Sequence, residues 1–206
     1  MTGYTFAVFD MDEVLYDFEH PVRLQLLEEL TGKPQAEIHE AVWGGPHENL
    51  AEAGQPDTAD GYLAQFADLL GYPIDFDTWA DIRRRMMRPR KDVLDMVRRL
   101  SKQTDVALLT NNGMLLKKAL PVCAPEVIEI FAEKSHVSAD FKARKPEPDV
   151  FLRICAHYGH EPRQTLFVDD RDENIIGAEA AGLTAHLYRS PAELAAFLRK
   201  CGFNPG

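Results

Sequence analysis

The sequence predicts an α/β fold: a doubly wound parallel sheet with an α-helical domain inserted after its first strand. Short apolar segments rich in β-branched and aromatic residues recur at 5–9, 105–109, 165–168 and 184–187, with helical patterns between and after them. Strands alternating with helices make a parallel sheet covered on both sides. The spacing is uneven, with about a hundred residues between the first two segments and later crossovers of about thirty. The long gap reads as helices, which marks it as an insert.

The first strand, Thr5 to Phe9, is the apolar run "TFAVF". Helices are then expected over Pro21 to Leu30, Pro34 to Trp43, about Thr58 to Leu70 and Thr78 to Met87, with prolines and acids at their starts and Gly71 at a stop. The segments "WGGPHE" and "EAGQPD" read as loops between them. The basic stretch "RRRMMRPRK", Arg83 to Lys91, reads as the solvated face of a helix interrupted at Pro89. A strand at Asp105 to Leu109 and a weaker one near Ile130 to Val137 follow. Val150, Phe151, Ile154, Cys155 and Tyr158 fall on one helical face before the strands at Thr165 to Val168 and Thr184 to Leu187. On this division residues 1–16 and 89–206 form the core, and residues 17–88 form a helical cap.

Composition narrows the function classes. A length of 206 residues allows a sizeable core, and 45% hydrophobic with 27% charged residues is ordinary for a globular chain. Apolar runs stop at five residues, Leu194 to Leu198, too short for a membrane helix. The opening "MTGYTFAVFD" lacks the pattern of a secretion signal, so a cytoplasmic protein is expected. Cys123, Cys155 and Cys201 are too scattered for a metal site and read as reduced thiols. A formal charge of −10 disfavours nucleic acid as a partner, and the oligomeric state is left open.

In an open parallel sheet, ligands bind beyond the carboxyl ends of the strands, where strand order reverses. The first strand ends in "DMDEV", the second in "LLTNNG" and the fourth in "FVDDRDEN", while "FKARKPEPDVF" precedes that fourth strand. Together these ends supply acids, a hydroxyl, an amide and, from Lys145, an ammonium. That inventory suits a divalent cation, held by hard oxygen ligands, and a phosphate, held by the hydroxyl, the lysine and helix-start amides.

The four segments resemble, in family order and over nearly the whole chain, the four motifs of the haloacid dehalogenase superfamily, whose core is Rossmann-like. "DMDEV" is similar to the first motif, Thr110 of "LLTNN" to the second, Lys145 to the third and "VDD" to the fourth. The long insert resembles the family's helical cap, and the motif forms look most like sugar-phosphate phosphatases and the phosphatase domain of soluble epoxide hydrolases. The resemblance implies that Asp10 is a nucleophile forming an aspartyl-phosphate and that Asp12 protonates the leaving oxygen and then activates water. Dehalogenases of the superfamily lack this second acid. It further implies Mg²⁺ held by Asp10, Asp170 and the main-chain carbonyl of Asp12, with Thr110, Asn111 and Lys145 on the phosphate.

Several assignments have more than one reading. Asp169, where many relatives have glycine, either orients a metal-bound water or Lys145, or is a plain neighbouring acid. Asn174 replaces an aspartate common in relatives, so it adds no charge. Asn111 also suits a helix N-cap, and Lys145 an exposed lysine. Trp43, His47 and Glu48 are candidate cap contacts to substrate, with core or surface positions as the competing reading. Glu13, where relatives commonly have glycine, is expected to avoid positive φ, to point either at the cap interface or into solvent, and to tolerate Glu13→Gly.

The implied activity is a Mg²⁺-dependent phosphatase acting on a small phosphorylated metabolite, a sugar phosphate among the candidates. A phosphosugar mutase uses the same two aspartates. A phospho-receiver domain gathers similar residues on a doubly wound sheet, but has no use for Asp12 or a cap.

Overall fold

In the computed structural model, which describes residues 3–206, Phe6–Phe9 forms the first strand, β1; residues 1 and 2 of the expected core segment lie outside the described residues. All four side chains are fully buried and alternate between two apolar clusters, Ala7 and Phe9 in one, Phe6 and Val8 in the other. A strand covered on both faces has no polar side, hence the unbroken apolar run. Burying each phenylalanine contributes roughly 2 kcal/mol relative to exposure.

A short strand, β2 (Tyr16–Phe18), leads into five helices: α1 (His20–Thr31), α2 (Gln35–Trp43), α3 (His47–Glu52), α4 (Ala59–Leu70) and α5 (Phe76–Arg85). The chain returns along β3 (Met87–Pro89), antiparallel to β2, with Tyr16 opposite Pro89 and Phe18 opposite Met87. The helical insert is thus entered and left through one two-stranded ribbon. Beyond it come α6 (Lys91–Leu100), β4 (Asp105–Thr110), α7 (Met114–Cys123), α8 (Pro125–Phe131), β5 (Ser135–Val137) and α9 (Pro148–Tyr158). The chain closes with β6 (Thr165–Asp169), α10 (Asp172–Ala180), β7 (Thr184–Leu187) and α11 (Pro191–Lys200).

The five-stranded sheet runs β5-β4-β1-β6-β7, with every pairing parallel. From β1 the chain builds outward through β4 to β5, then returns to the other side of β1 with β6 and β7. Strand order therefore reverses at β1, and the crevice lies beyond the ends of β1, β4 and β6. The helical insert covers that edge, its α4 and α5 packing on α7.

Several local expectations are corrected. "WGGPHE" is not all loop, because α3 begins within it at His47. Helix α5 starts at Phe76, where the Asp75 carboxylate caps it by accepting from the Thr78 N–H at 2.8 Å, and ends before β3. The basic stretch is not wholly a solvated face: Arg83 is 2% exposed, on the same helix face as Trp79.

The backbone expectation for Glu13 is corrected, and of the two side-chain readings the structure favours the one facing the insert. Its φ is +60°, and its carboxylate is engaged. One oxygen accepts from the Phe18 N–H at 3.0 Å, the other pairs with Arg90 at 2.6 Å, and Arg90 also donates to the Glu13 carbonyl. The glutamate fastens the turn after β1 to β2 and to the residue that follows β3, contacts that offset part of the cost of left-handed backbone, about 1 kcal/mol.

One close approach fixes the loop before α9. A Cβ on Gly177, in α10, would lie 2.0 Å from the Pro146 carbonyl oxygen, main-chain atoms that cannot swing aside. Gly177→Ala is expected to cost roughly 1–3 kcal/mol and lower Tm by several degrees in a thermal melt. Glu13→Gly relieves the φ cost but loses a half-exposed ion pair, so its Tm should stay within about 4 °C of wild type.

Candidate active site

Each strand at the reversal delivers one polar side chain to the crevice: Asp10 follows β1, Thr110 ends β4 and Asp169 ends β6. The Asp10 N–H donates to the Val168 carbonyl at 2.9 Å, continuing the ladder and fixing where its carboxylate emerges. Lys145 arrives from the loop before α9, with 1% of its surface exposed. Its ammonium lies 2.8 Å from an Asp10 oxygen and 2.6 Å from Asp169.

Sequence-distant groups hold this arrangement. The Asn111 amide clamps the Lys145 main chain, accepting from its N–H at 2.9 Å and donating to its carbonyl at 2.8 Å. Asn111 therefore positions the lysine rather than capping a helix. Asp169 has both oxygens occupied: Oδ1 accepts from the Arg171 N–H at 3.0 Å and the Asn174 amide at 2.9 Å, and Oδ2 takes Lys145 and a second contact from Asn174 at 3.0 Å. A neutral amide at 174 satisfies Asp169 without adding charge. Thr110, 1% exposed, accepts from the Asn112 amide at 3.0 Å.

Burial pushes the Asp10 carboxyl up to about 8, with Lys145 opposing the rise and Asp169 adding to it. For Lys145, burial works to lower the pKa, but the paired carboxylates of Asp10 and Asp169 overcome it and the net direction is up. Asp170 is raised by burial and next by Asp169. Asp10, Asp169 and Asp170 offer carboxylate oxygens all within 4.8 Å of one another.

Above these residues lies a cavity of about 370 Å³, lined from below by Asp10, Thr110, Lys145 and Asp170 and from the helical insert by Arg23, His39, Trp43 and Arg83, among others. Asp12 also faces it, with both carboxylate oxygens held by one Arg83 nitrogen at 2.8 and 3.0 Å. Of the three cap candidates, Trp43 and Glu48 line the cavity and His47 does not. Glu48 accepts from the Tyr62 hydroxyl. Burial pushes His20, at the cavity wall, down to about 4, with Arg23 the next contribution.

The sequence reading missed Arg23 and Arg83. The available signal was helical register: Arg23 precedes buried Leu26 and Leu27 by three and four residues, and Arg83 follows buried Trp79 by four.

Residues 4–182 match the family described as haloacid dehalogenase-like hydrolase. A phosphatase of Mycobacterium tuberculosis is 26% identical over 196 residues, covering 88% of this chain and 85% of that protein. A phosphoglycolate phosphatase of Haemophilus influenzae is 35% identical over 77 residues, 37% of this chain and 34% of that protein. The first curated relatives matched are thus spanned over 25% and 34% of their own length. Among solved structures, a HAD family enzyme of Bacteroides thetaiotaomicron, in complex with magnesium and inorganic phosphate, superposes with a TM-score of 0.74 at 19% identity, over 90% of this chain and 94% of that one. At that identity the likeness is one of fold. The family match, by contrast, spans four of the five sheet strands and the whole helical insert, so the chain belongs to the haloacid dehalogenase-like hydrolases.

Proposed function

We propose that this protein is a Mg²⁺-dependent phosphatase of small phosphomonoesters, working through an aspartyl-phosphate on Asp10. The observation that carries the reading is the charge balance at the crevice. Three carboxylates converge within 4.8 Å, while among the described residues Lys145, on Asp10 and Asp169, is the one ammonium paired with any of them, which leaves an excess of negative charge that suits a dication. The relative solved with magnesium and inorganic phosphate agrees with that choice of ligands. Asp10, Asp170 and the Asp12 main-chain carbonyl would hold the ion, since both Asp169 oxygens are already occupied. When bound, the ion supplies the positive charge that lets a carboxylate approach a phosphate dianion.

The chain's own residues do the rest. Lys145 holds Asp10 in place and, with Thr110, binds phosphate oxygens, so that the Asp10 oxygen attacks phosphorus and the ester oxygen leaves. Asp12 gives that oxygen a proton, then takes one from the water that attacks the aspartyl-phosphate, releasing inorganic phosphate and restoring Asp10. Arg83 holds Asp12 through a single nitrogen, which leaves each carboxylate oxygen a lone pair for the proton and keeps the acid facing the cavity. Residues 17–88 act as the cap that excludes bulk water, with the paired strands β2 and β3 as its attachment.

A panel of phosphomonoesters, read by released inorganic phosphate, tests the reading. Turnover should require Mg²⁺, stop with chelator and fall by at least about a thousandfold in Asp10→Asn. Phosphate release that survives that substitution would rule out the nucleophile, and isomerised sugar phosphate without release would indicate a mutase instead.

The acidity of Asp10 gives a second test. Its folded pKa of about 8 stands above the ordinary 3.8, so between those values the folded state holds a proton that the unfolded state has lost. Stability of the chelated protein should therefore fall as pH rises through that window, and be regained when Mg²⁺ is added. Thermal melts from pH 5 to 8 should show this slope in wild type and a flatter one in Asp10→Asn. Equal slopes would show that Asp10 titrates normally.

A further inference from the structure

Arg23 lines the cavity yet has no part in the reaction just proposed. It lies on α1 with 6% of its surface exposed, and its guanidinium forms no ion pair or hydrogen bond among the described residues. Trp43 is 4.7 Å from it, and Phe66 and Trp79 are each 5.5 Å away, ring centroid to guanidinium carbon. Aromatic faces attract a cation without accepting its in-plane N–H bonds, so the donors are left for an occupant of the cavity.

The nearby acids are engaged elsewhere. Asp12 is held by Arg83, Glu13 by Arg90, Glu52 by Arg144, and Glu48 by the Tyr62 hydroxyl. Glu48 and Asp12 act on Arg23 through space only. Arg83, a second buried guanidinium, lines the same cavity with Phe18 at 4.5 Å. A cation buried without an anion is costly, and is kept most simply where a ligand supplies the anion. The guanidinium fork matches the oxygens of a carboxylate or phosphate.

We propose that Arg23, with the charge of Arg83 nearby, binds a second anionic group of the substrate, a carboxylate or a second phosphate. The inference rests on the phosphatase reading and narrows its substrate class: short phosphomonoesters with an anionic far end, rather than neutral sugar monophosphates. One end meets Asp10 and Lys145, and the other meets the helical insert.

Substrate pairs that differ in the second group provide the test. 3-Phosphoglycerate against glycerol 3-phosphate probes the carboxylate, and fructose 1,6-bisphosphate against fructose 6-phosphate probes the phosphate. Hydrolysis with Mg²⁺ is compared in wild type, Arg23→Met and Arg23→Lys, and calorimetry measures binding of the same compounds to Asp10→Asn with and without Arg23→Met. In at least one pair, wild type should prefer the member with two anionic groups by about tenfold to a hundredfold in kcat/KM, with the ratio near one in Arg23→Met and intermediate in Arg23→Lys. The within-pair ratio cancels losses of folded protein, and Arg23→Lys carries the test should Arg23→Met fail to fold.

Absence of preference in both pairs, or a preference untouched by Arg23→Met, overturns the inference while leaving a phosphatase. Arg23-dependent binding without hydrolysis of any compound upholds it and overturns the phosphatase reading. Neither hydrolysis nor Arg23-dependent binding overturns both.

Discussion

The Lys145 ammonium sits between the carboxylates of Asp10 and Asp169, at 2.8 and 2.6 Å, with 1% of its surface exposed. A buried charge is tolerable only when its partners are in place, so this contact constrains everything around it. It needs β1 and β6 side by side, which puts the strand-order reversal at β1. It also needs the loop before α9 pulled to the sheet edge, which the Asn111 amide and the close contact of Gly177 with Pro146 enforce. Asn174 satisfies Asp169 from the other side.

The helical insert meets this centre through charge rather than apolar packing alone. Arg83 reaches from α5 to Asp12 across 71 residues of sequence, and Arg90 reaches from beyond β3 to the turn at Glu13. Both contacts join the C-terminal end of the insert to the turn that follows β1. The insert and the turn that carries Asp12 are therefore joined by a charged contact at the cavity wall.

Much of the architecture was legible in the sequence because it is local. The run Phe6 to Phe9 reads as a doubly covered strand, and Val150, Phe151, Ile154 and Cys155 share the buried face of α9. The strand-end acids were legible for a related reason, since charges after an apolar run have few structural uses there. What failed was local inference about paired charges. Arg83 looked solvated because arginine usually is, and Glu13 looked unfit for positive φ because glycine usually fills that role. Each was decided by its partners: Asp12, 71 residues away, for the first, and Arg90 together with the nearby Phe18 for the second.

The sequence by itself determined the main sheet strands alternating with helices, the long insert after the first of them, and the acids and lysine near the strand ends, because periodicity and strand-end chemistry are properties of neighbouring residues. Only the tertiary structure decided that Asn111 clamps Lys145, that Asp169 is fully engaged and that Arg23 is caged by Trp43, Phe66 and Trp79 with no ion pair among the described residues. Those facts depend on which side chains meet across the sheet edge and the insert. In a low-dielectric interior, the partner, and not the residue type alone, sets what a charged group can do.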